Sequence, residues 1–275
     1  MRLRIPDMPC SNTISIVKNR TIRLSPLVLC VSICIFSPLA ASSQAAAQKL
    51  PPRNDLGPRG VVQLLAVGPG EKEQNRECSA TGFLIDEQGY LITAAHVLED
   101  ARRCLEKAPG AKILAKLTIN DARTAPAVPC DVIGIDAVND LALLKTERPL
   151  LASTGGEPPF VKLDARTVAV GTDVSVSGYP AFSWQPVTQS GHITWKGRTR
   201  LEEIDSPLPN LSDALMVDIH LRPGNSGSPV YRPGGGVIGV VDKRDSLRPT
   251  YSIAVTIHYV IELAKRYGAP WHGVD

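Results

Sequence analysis

Aromatic side chains make up only 5% of this 275-residue chain, so its core must be packed mainly from aliphatic groups. Such groups are available: 43% of the residues are hydrophobic, close to the globular average, which excludes general disorder. No period of 20–50 residues recurs, which argues against solenoids and propellers. Cysteine is sparse as well. Of six, Cys10, Cys30 and Cys34 fall in the first 47 residues, leaving Cys78, Cys104 and Cys130. An odd number allows at most one bridge, and with no C-x-x-C pair a zinc site is not expected. An excess of charge is also missing from the bulk of the chain. Removing the five basic side chains and one acid of residues 1–47 from totals of 30 and 27 leaves 25 basic and 26 acidic residues. The formal charge of +3 therefore belongs to the N-terminal segment, and a nucleic-acid binder, whose folded domain carries the basic excess, is disfavoured.

Charge is absent altogether from Leu24 to Gln48, and Leu27 to Leu39 is mostly apolar. Arg20 and Arg23 precede this run and Ala45-Ala46-Ala47 follows it. A basic segment, a short apolar core and an A-x-A site together read as a secretory signal peptide, residues 1–47, cut near Ala47. An uncleaved membrane anchor is the alternative. Leu29 and Ile33 stand before Cys30 and Cys34, where a bacterial lipoprotein signal has a small residue. The apolar core starts late, so Met8 is a second candidate start. The expected location is secreted or periplasmic, with no membrane association after cleavage.

Beyond the leader, short apolar runs alternate with turn residues. They lie at Gly60–Gly68, Ala80–Ile85, Tyr90–Thr93, Ile113–Ile119, Cys130–Ile135 and Leu141–Lys145, with a hairpin turn at Asp86-Glu87-Gln88-Gly89. A Pro- and Gly-bearing stretch at 148–160 reads as a linker. Further runs follow at Val168–Val170, Asp173–Gly178, Ser190–Trp195, Ala214–Ile219, Pro229–Tyr231, Val237–Val241 and Tyr251–Val255. This spacing predicts an all-β fold of two halves, 48–150 and 151–275. One helix closes the chain, with Ile257, Val260, Ile261 and Ala264 on one face and Gly268 and Pro270 ending it.

Three segments carry residues suited to nucleophilic chemistry, which needs a hydroxyl, a base, a carboxylate to orient the base, and donors for the developing oxyanion. Thr93-Ala94-Ala95-His96 places a histidine just past a strand. Asn139-Asp140-Leu141-Ala142-Leu143-Leu144 sets an acid at the head of an apolar strand; Asp136 is its nearby competitor. Pro223-Gly224-Asn225-Ser226-Gly227-Ser228-Pro229 is a loop whose glycines let successive amides point at one oxygen. Each segment alone has an ordinary reading as a surface histidine, a turn acid or a loop. Asp218 is read as structural.

Taken together and in the order His, Asp, Ser, T-A-A-H, N-D-L-A-L-L and G-N-S-G-S-P resemble the chymotrypsin-like serine proteases. The segment Gly82–Val97, GFLIDEQGYLITAAHV, is most similar to HtrA/DegP-type and other bacterial trypsin-like peptidases. The resemblance implies two six-stranded antiparallel β-barrels with the site between them. It implies His96 as general base, Asp140 as its orienting acid and Ser226 as nucleophile, with the Gly224 and Ser226 amides as oxyanion hole. Protein or peptide substrates and no cofactor follow from it. Gly227-Ser228-Pro229 also resembles glutamyl-endopeptidase-like relatives, and His220 is a candidate for the pocket that receives the residue before the scissile bond. No I-V-G-G-type segment is present, and about 50 residues follow Ser226, too few for a PDZ domain. Secreted relatives imply a Cys78–Cys104 bridge, with Cys104–Cys130 as the competitor. The rival reading is a protease fold without activity, serving as a binding module; oligomeric state is left open.

Overall fold

The computed structural model describes residues 60–67, 79–105, 112–117, 126–150, 159–199, 212–244 and 250–274. The leader 1–47 lies outside them, as do Cys78, the Cys104 side chain and most of the 148–160 stretch.

Six strands form the first half: β1 (Val61–Val67), β2 (Ser79–Leu84), β3 (Tyr90–Ala94), β4 (Lys112–Leu117), β5 (Ala127–Asp136) and β6 (Leu141–Thr146). Six more form the second: β7 (Asp173–Gly178), β8 (Val187–Thr199), β9 (Ser212–Val217), β10 (Pro229–Tyr231), β11 (Val237–Arg244) and β12 (Ser252–Thr256). Each set closes into an antiparallel barrel, in the order β1-β2-β3-β6-β5-β4 and β10-β11-β12-β9-β8-β7. Counted within its own half, the second order is the first one traversed in reverse, so the two barrels share one topology. Closure leaves neither sheet with an open edge.

Strands β1, β3 and β6 read as near-continuous apolar runs because both of their faces are covered. Along β6, Ala142 and Leu144 point into the first barrel, whereas Leu141 and Leu143 point out of it toward the second. The same alternation divides Leu84 from Phe83 and Leu91 from Ile92. In the second barrel Ile238 and Ala254 face inward while Val237 and Val255 face the seam. The chain thus has three cores: two barrel interiors and a seam between them. The seam also takes the apolar face of the closing helix α2 (Ile257–Arg266), through Ile257, Val260, Ile261, Leu263 and Ala264.

Three expectations need correcting. A helix, α1 (His96–Leu105), follows β3 directly, where the sequence reading had no helix before the C-terminal one. It packs Val97 and Ala101 inward, four residues apart, so one helical face is apolar. Val168–Val170 is not a strand. Thr172 bonds back to Ala169 through both its amide and its hydroxyl, and Gly171 adopts φ +86°, turning the chain before β7 begins. Cys130 is a free thiol, which removes Cys104–Cys130 as a pairing. Burial pushes that thiol up to about 12.

Candidate active site

The site is assembled from one turn, one helix start and one loop, all at the seam. The turn before β6 ends at Asp140, a non-glycine residue with φ +50°, a conformation aspartate tolerates better than most. Asp136 holds that turn: its carboxylate accepts from the Asn139 amide (3.2 Å) and from Asn139 Nδ2 (2.9 Å). Asp136 is thereby committed to its own turn, and Asp140 is the acid that reaches the helix.

Asp140 clamps the start of α1 in three ways. Its carbonyl accepts from the Ala95 amide (2.9 Å), its Oδ1 from the His96 amide (2.8 Å), and its Oδ2 lies 2.6 Å from His96 Nδ1. The second contact satisfies an amide that a helix N-terminus leaves without an intrahelical acceptor, and places negative charge where the helix dipole favours it. An ionised carboxylate only accepts, so Nδ1 carries the proton and Nε2 the lone pair. The acid is 4% exposed and the imidazole 18%, so the ring is anchored on its Nδ1 side to a buried carboxylate.

The loop carrying Ser226 belongs to the second barrel but is fastened to the first through Thr81 of β2. The Thr81 hydroxyl donates to Gly224 O (2.7 Å) and accepts from the Tyr179 amide (2.9 Å). The Thr81 amide donates to Ser226 O (3.1 Å), and its carbonyl accepts from Thr93 Oγ1 (2.7 Å). Gly227, at φ +82°, fits only as glycine: a Cβ there would stand 2.2 Å from Thr81 O and 2.3 Å from Thr93 Oγ1.

Within the loop the amides divide cleanly. Those of Asn225, Gly227 and Ser228 donate to Arg222 O, Val241 O and Asn225 O. Among the described residues, those of Gly224 and Ser226 donate to no protein acceptor. Ser226 Oγ donates to the carbonyl of Asp242 (3.3 Å), whose own carboxylate lies 3.9 Å from His96 Nδ1. The serine and the histidine thus meet across Asp242, a residue of β11 that lies one position beyond the expected run Val237–Val241 and that the sequence reading did not single out. Its one signal was an acid directly after the apolar run Val237–Val241.

His220 is exposed, and its carbonyl accepts from Gln189 Nε2 (3.3 Å). Asp218 accepts from the His192 amide, which holds its carboxyl below the usual range, and its role is to tie β8 to the chain leaving β9. His96, Asp140 and Asp242 could also present one ligand atom each to a cation.

A site of this composition, at the seam of two like barrels, can deliver a hydroxyl nucleophile with a histidine base. "Probable periplasmic serine endoprotease DegP-like" from Chlamydia pneumoniae is 31% identical over 172 residues, covering 62% of this chain and 30% of the relative. A protein of the same description from Pseudomonas putida is 28% identical over 205 residues, covering 74% and 37%. The chain thus spans about a third of the length of these relatives. The active form of the Rv3671c protease from Mycobacterium tuberculosis superposes with a TM-score of 0.59 at 21% identity, covering 80% of this chain and 85% of that one, and has the same fold. The Trypsin-like peptidase domain profile matches residues 80–240, and the chain belongs to the trypsin-like peptidase family.

Proposed function

We propose that the chain is an HtrA-style serine endopeptidase acting through Ser226, His96 and Asp140. The observation that carries this reading is the clamped imidazole: Asp140 takes the backbone amide and Nδ1 of the same residue, which fixes the orientation of the ring. Ser226 Oγ first leaves the Asp242 carbonyl and turns its proton toward the Nε2 lone pair. The oxygen then attacks a peptide carbonyl while His96 takes the proton. His96 next returns the proton to the departing amine, and Asp140 stabilises the imidazolium in between. Water repeats the cycle on the acyl-enzyme. The developing oxyanion is received by the Gly224 and Ser226 amides, the two of this loop that donate to no acceptor among the described residues; one such donor is typically worth ~10²–10³ in rate.

Substrates on this reading are proteins or peptides, and the exposed His220 serves as a rim group of the pocket for the residue before the cleaved bond. Residues 1–47 act as a cleaved export signal, and the periplasmic description of the DegP-like relatives supports that location. Among the described residues no helix is long and apolar enough to cross a membrane. The test is labelling by a fluorophosphonate probe together with hydrolysis of a denatured protein. Wild type labels and cleaves, whereas Ser226→Ala and His96→Ala lose turnover to a similar, near-complete extent, because the groups act as one unit. Either variant retaining most of the wild-type rate with an intact fold would refute the assignment.

A further inference from the structure

Gln63 is the one polar residue in the apolar run of β1, and it is 1% exposed. Val61 faces the seam while Val62 and Leu64 face the interior of the first barrel, so Gln63, two positions from Val61, also points to the seam. A polar side chain buried there is costly unless it is hydrogen-bonded. Its Nε2 donates to Ser183 O (3.3 Å), 120 residues away in the connection between β7 and β8. The same connection is fastened to the first barrel at Tyr179, whose amide donates to Thr81 Oγ1 and whose hydroxyl donates to Val61 O (3.4 Å).

This connection in turn supports the loop of Ser226. Pro180–Phe182 forms a single tight turn, closed by the Ser183 amide on Pro180 O (2.9 Å), and Ala181 within it takes φ +45° and ψ +47°. A non-glycine residue is strained in this left-handed conformation, and it persists only where its surroundings hold the backbone there. Here the Ala181 amide donates to Pro223 O (2.7 Å). In the trans peptide Pro223–Gly224 the carbonyl and the N–H point in opposite directions, so holding Pro223 O toward Ala181 turns the Gly224 N–H away from it. That N–H is one of the two in the loop that donate to no acceptor among the described residues. Gly224 also backs directly onto the connection: a Cβ there would stand 2.4 Å from Tyr179 O.

We propose that Gln63 is a positioning residue for the oxyanion hole: through Ser183 and the turn at Ala181 it fixes the Pro223–Gly224 peptide with its N–H toward the oxygen that becomes negative. The proposal rests on the peptidase reading and adds to it a device in the first barrel that sets a donor in the second. Initial rates on fluorescein-labelled casein are measured for wild type, Gln63→Met, Gln63→Glu and Ala181→Pro, with a melting curve for each. Methionine and ionised glutamate keep the length of glutamine but offer Ser183 O no donor, so either serves if the other folds poorly. Proline removes the Ala181 N–H and its left-handed φ, breaking the last link directly. An oxyanion donor acts on the transition state, so a misplaced one lowers kcat and leaves KM in place. The expected kcat is at least about tenfold below wild type in the Gln63 variants and about 10²-fold below in Ala181→Pro, with KM within about twofold. A glutamine that only held the seam together would lower the melting temperature and leave the kcat of folded protein unchanged. That result, or a loss confined to KM, would overturn the inference alone. A wild type that neither cleaves casein nor takes the fluorophosphonate probe would overturn the peptidase reading and the inference with it.

Discussion

Thr81→Val tests whether the two barrels are fastened through one hydroxyl. Valine keeps the shape of threonine and suits a strand, so nothing changes at residue 81 except hydrogen bonding. Two bonds disappear. The Tyr179 amide belongs to a residue with 0% exposure and loses its Thr81 acceptor, and a stranded buried donor costs ~1–3 kcal/mol. Gly224 O is only half-buried and can turn to water, so losing its partner costs about 1 kcal/mol. The sum, ~2–4 kcal/mol, is a large part of the roughly 5–15 kcal/mol that keeps a domain folded. At roughly 2–4 °C per kcal/mol for a chain of this size, the melting temperature falls by about 4–16 °C. Thr81→Ser is the control. It retains the hydroxyl and gives up one methyl group, worth about 1 kcal/mol. Urea midpoints separate the two variants, and the fluorophosphonate labelling rate reports whether the Ser226 loop loosens along with the seam. A valine variant within about 0.5 kcal/mol of wild type would show that the seam does not depend on this hydroxyl.

Two further outcomes concern groups away from the cleft. Asp164, 2% exposed, takes a two-pronged hydrogen bond from Arg166 (2.8 Å each), which with Arg232 nearby holds its carboxyl below the usual range. Its folded value lies below its unfolded one, so its contribution is complete above about pH 4 and fades as pH falls further. Asp164→Asn should accordingly cost ~1–3 kcal/mol at pH 7, a gap that narrows by pH 3 in urea titrations; an equal gap at both would refute the charge argument. Cys130, whose thiol is pushed up to about 12 by burial, should react with a thiol reagent at pH 8 on the order of 10³-fold more slowly folded than unfolded. Peptide mapping after alkylation reads this directly, and rapid labelling of the folded protein would contradict the burial.

The parts of this molecule legible in its sequence are those carried by neighbouring residues. The β2–β3 turn is one example: Asp86 accepts from the Gly89 and Tyr90 amides, a contact among residues four apart or fewer. The closing helix is another, since its apolar face repeats at helical spacing. Candidate residues at the site stood out for the same local reason, a histidine after a strand, an acid before one, and a serine between glycines. Helix α1 escaped notice because Ala95 alone separates it from β3 and the clamp that starts it is Asp140, 44 residues away. Val168–Val170 had the composition of a strand, but the turn closed by Thr172 decided otherwise.

The seam was hidden for a stronger reason. Thr81 meets Tyr179 across 98 residues and Gly224 across 143, and no local pattern marks a threonine in an alternating strand as the fastening between barrels. Asp242 is the clearest case. In a regular strand, successive side chains face opposite sides, so an acid ending an apolar run reads as a strand turning to solvent. A bulge adds one unpaired residue and can reverse that assignment. The register of β11 against β12 slips at this point, and the carboxylate goes to the imidazole. Whether Asp242 faces water or His96 is thus fixed by pairing with a strand ten residues further along the chain. Composition cannot carry that information, which is why a charged group beside the proposed base emerges only from the folded barrel.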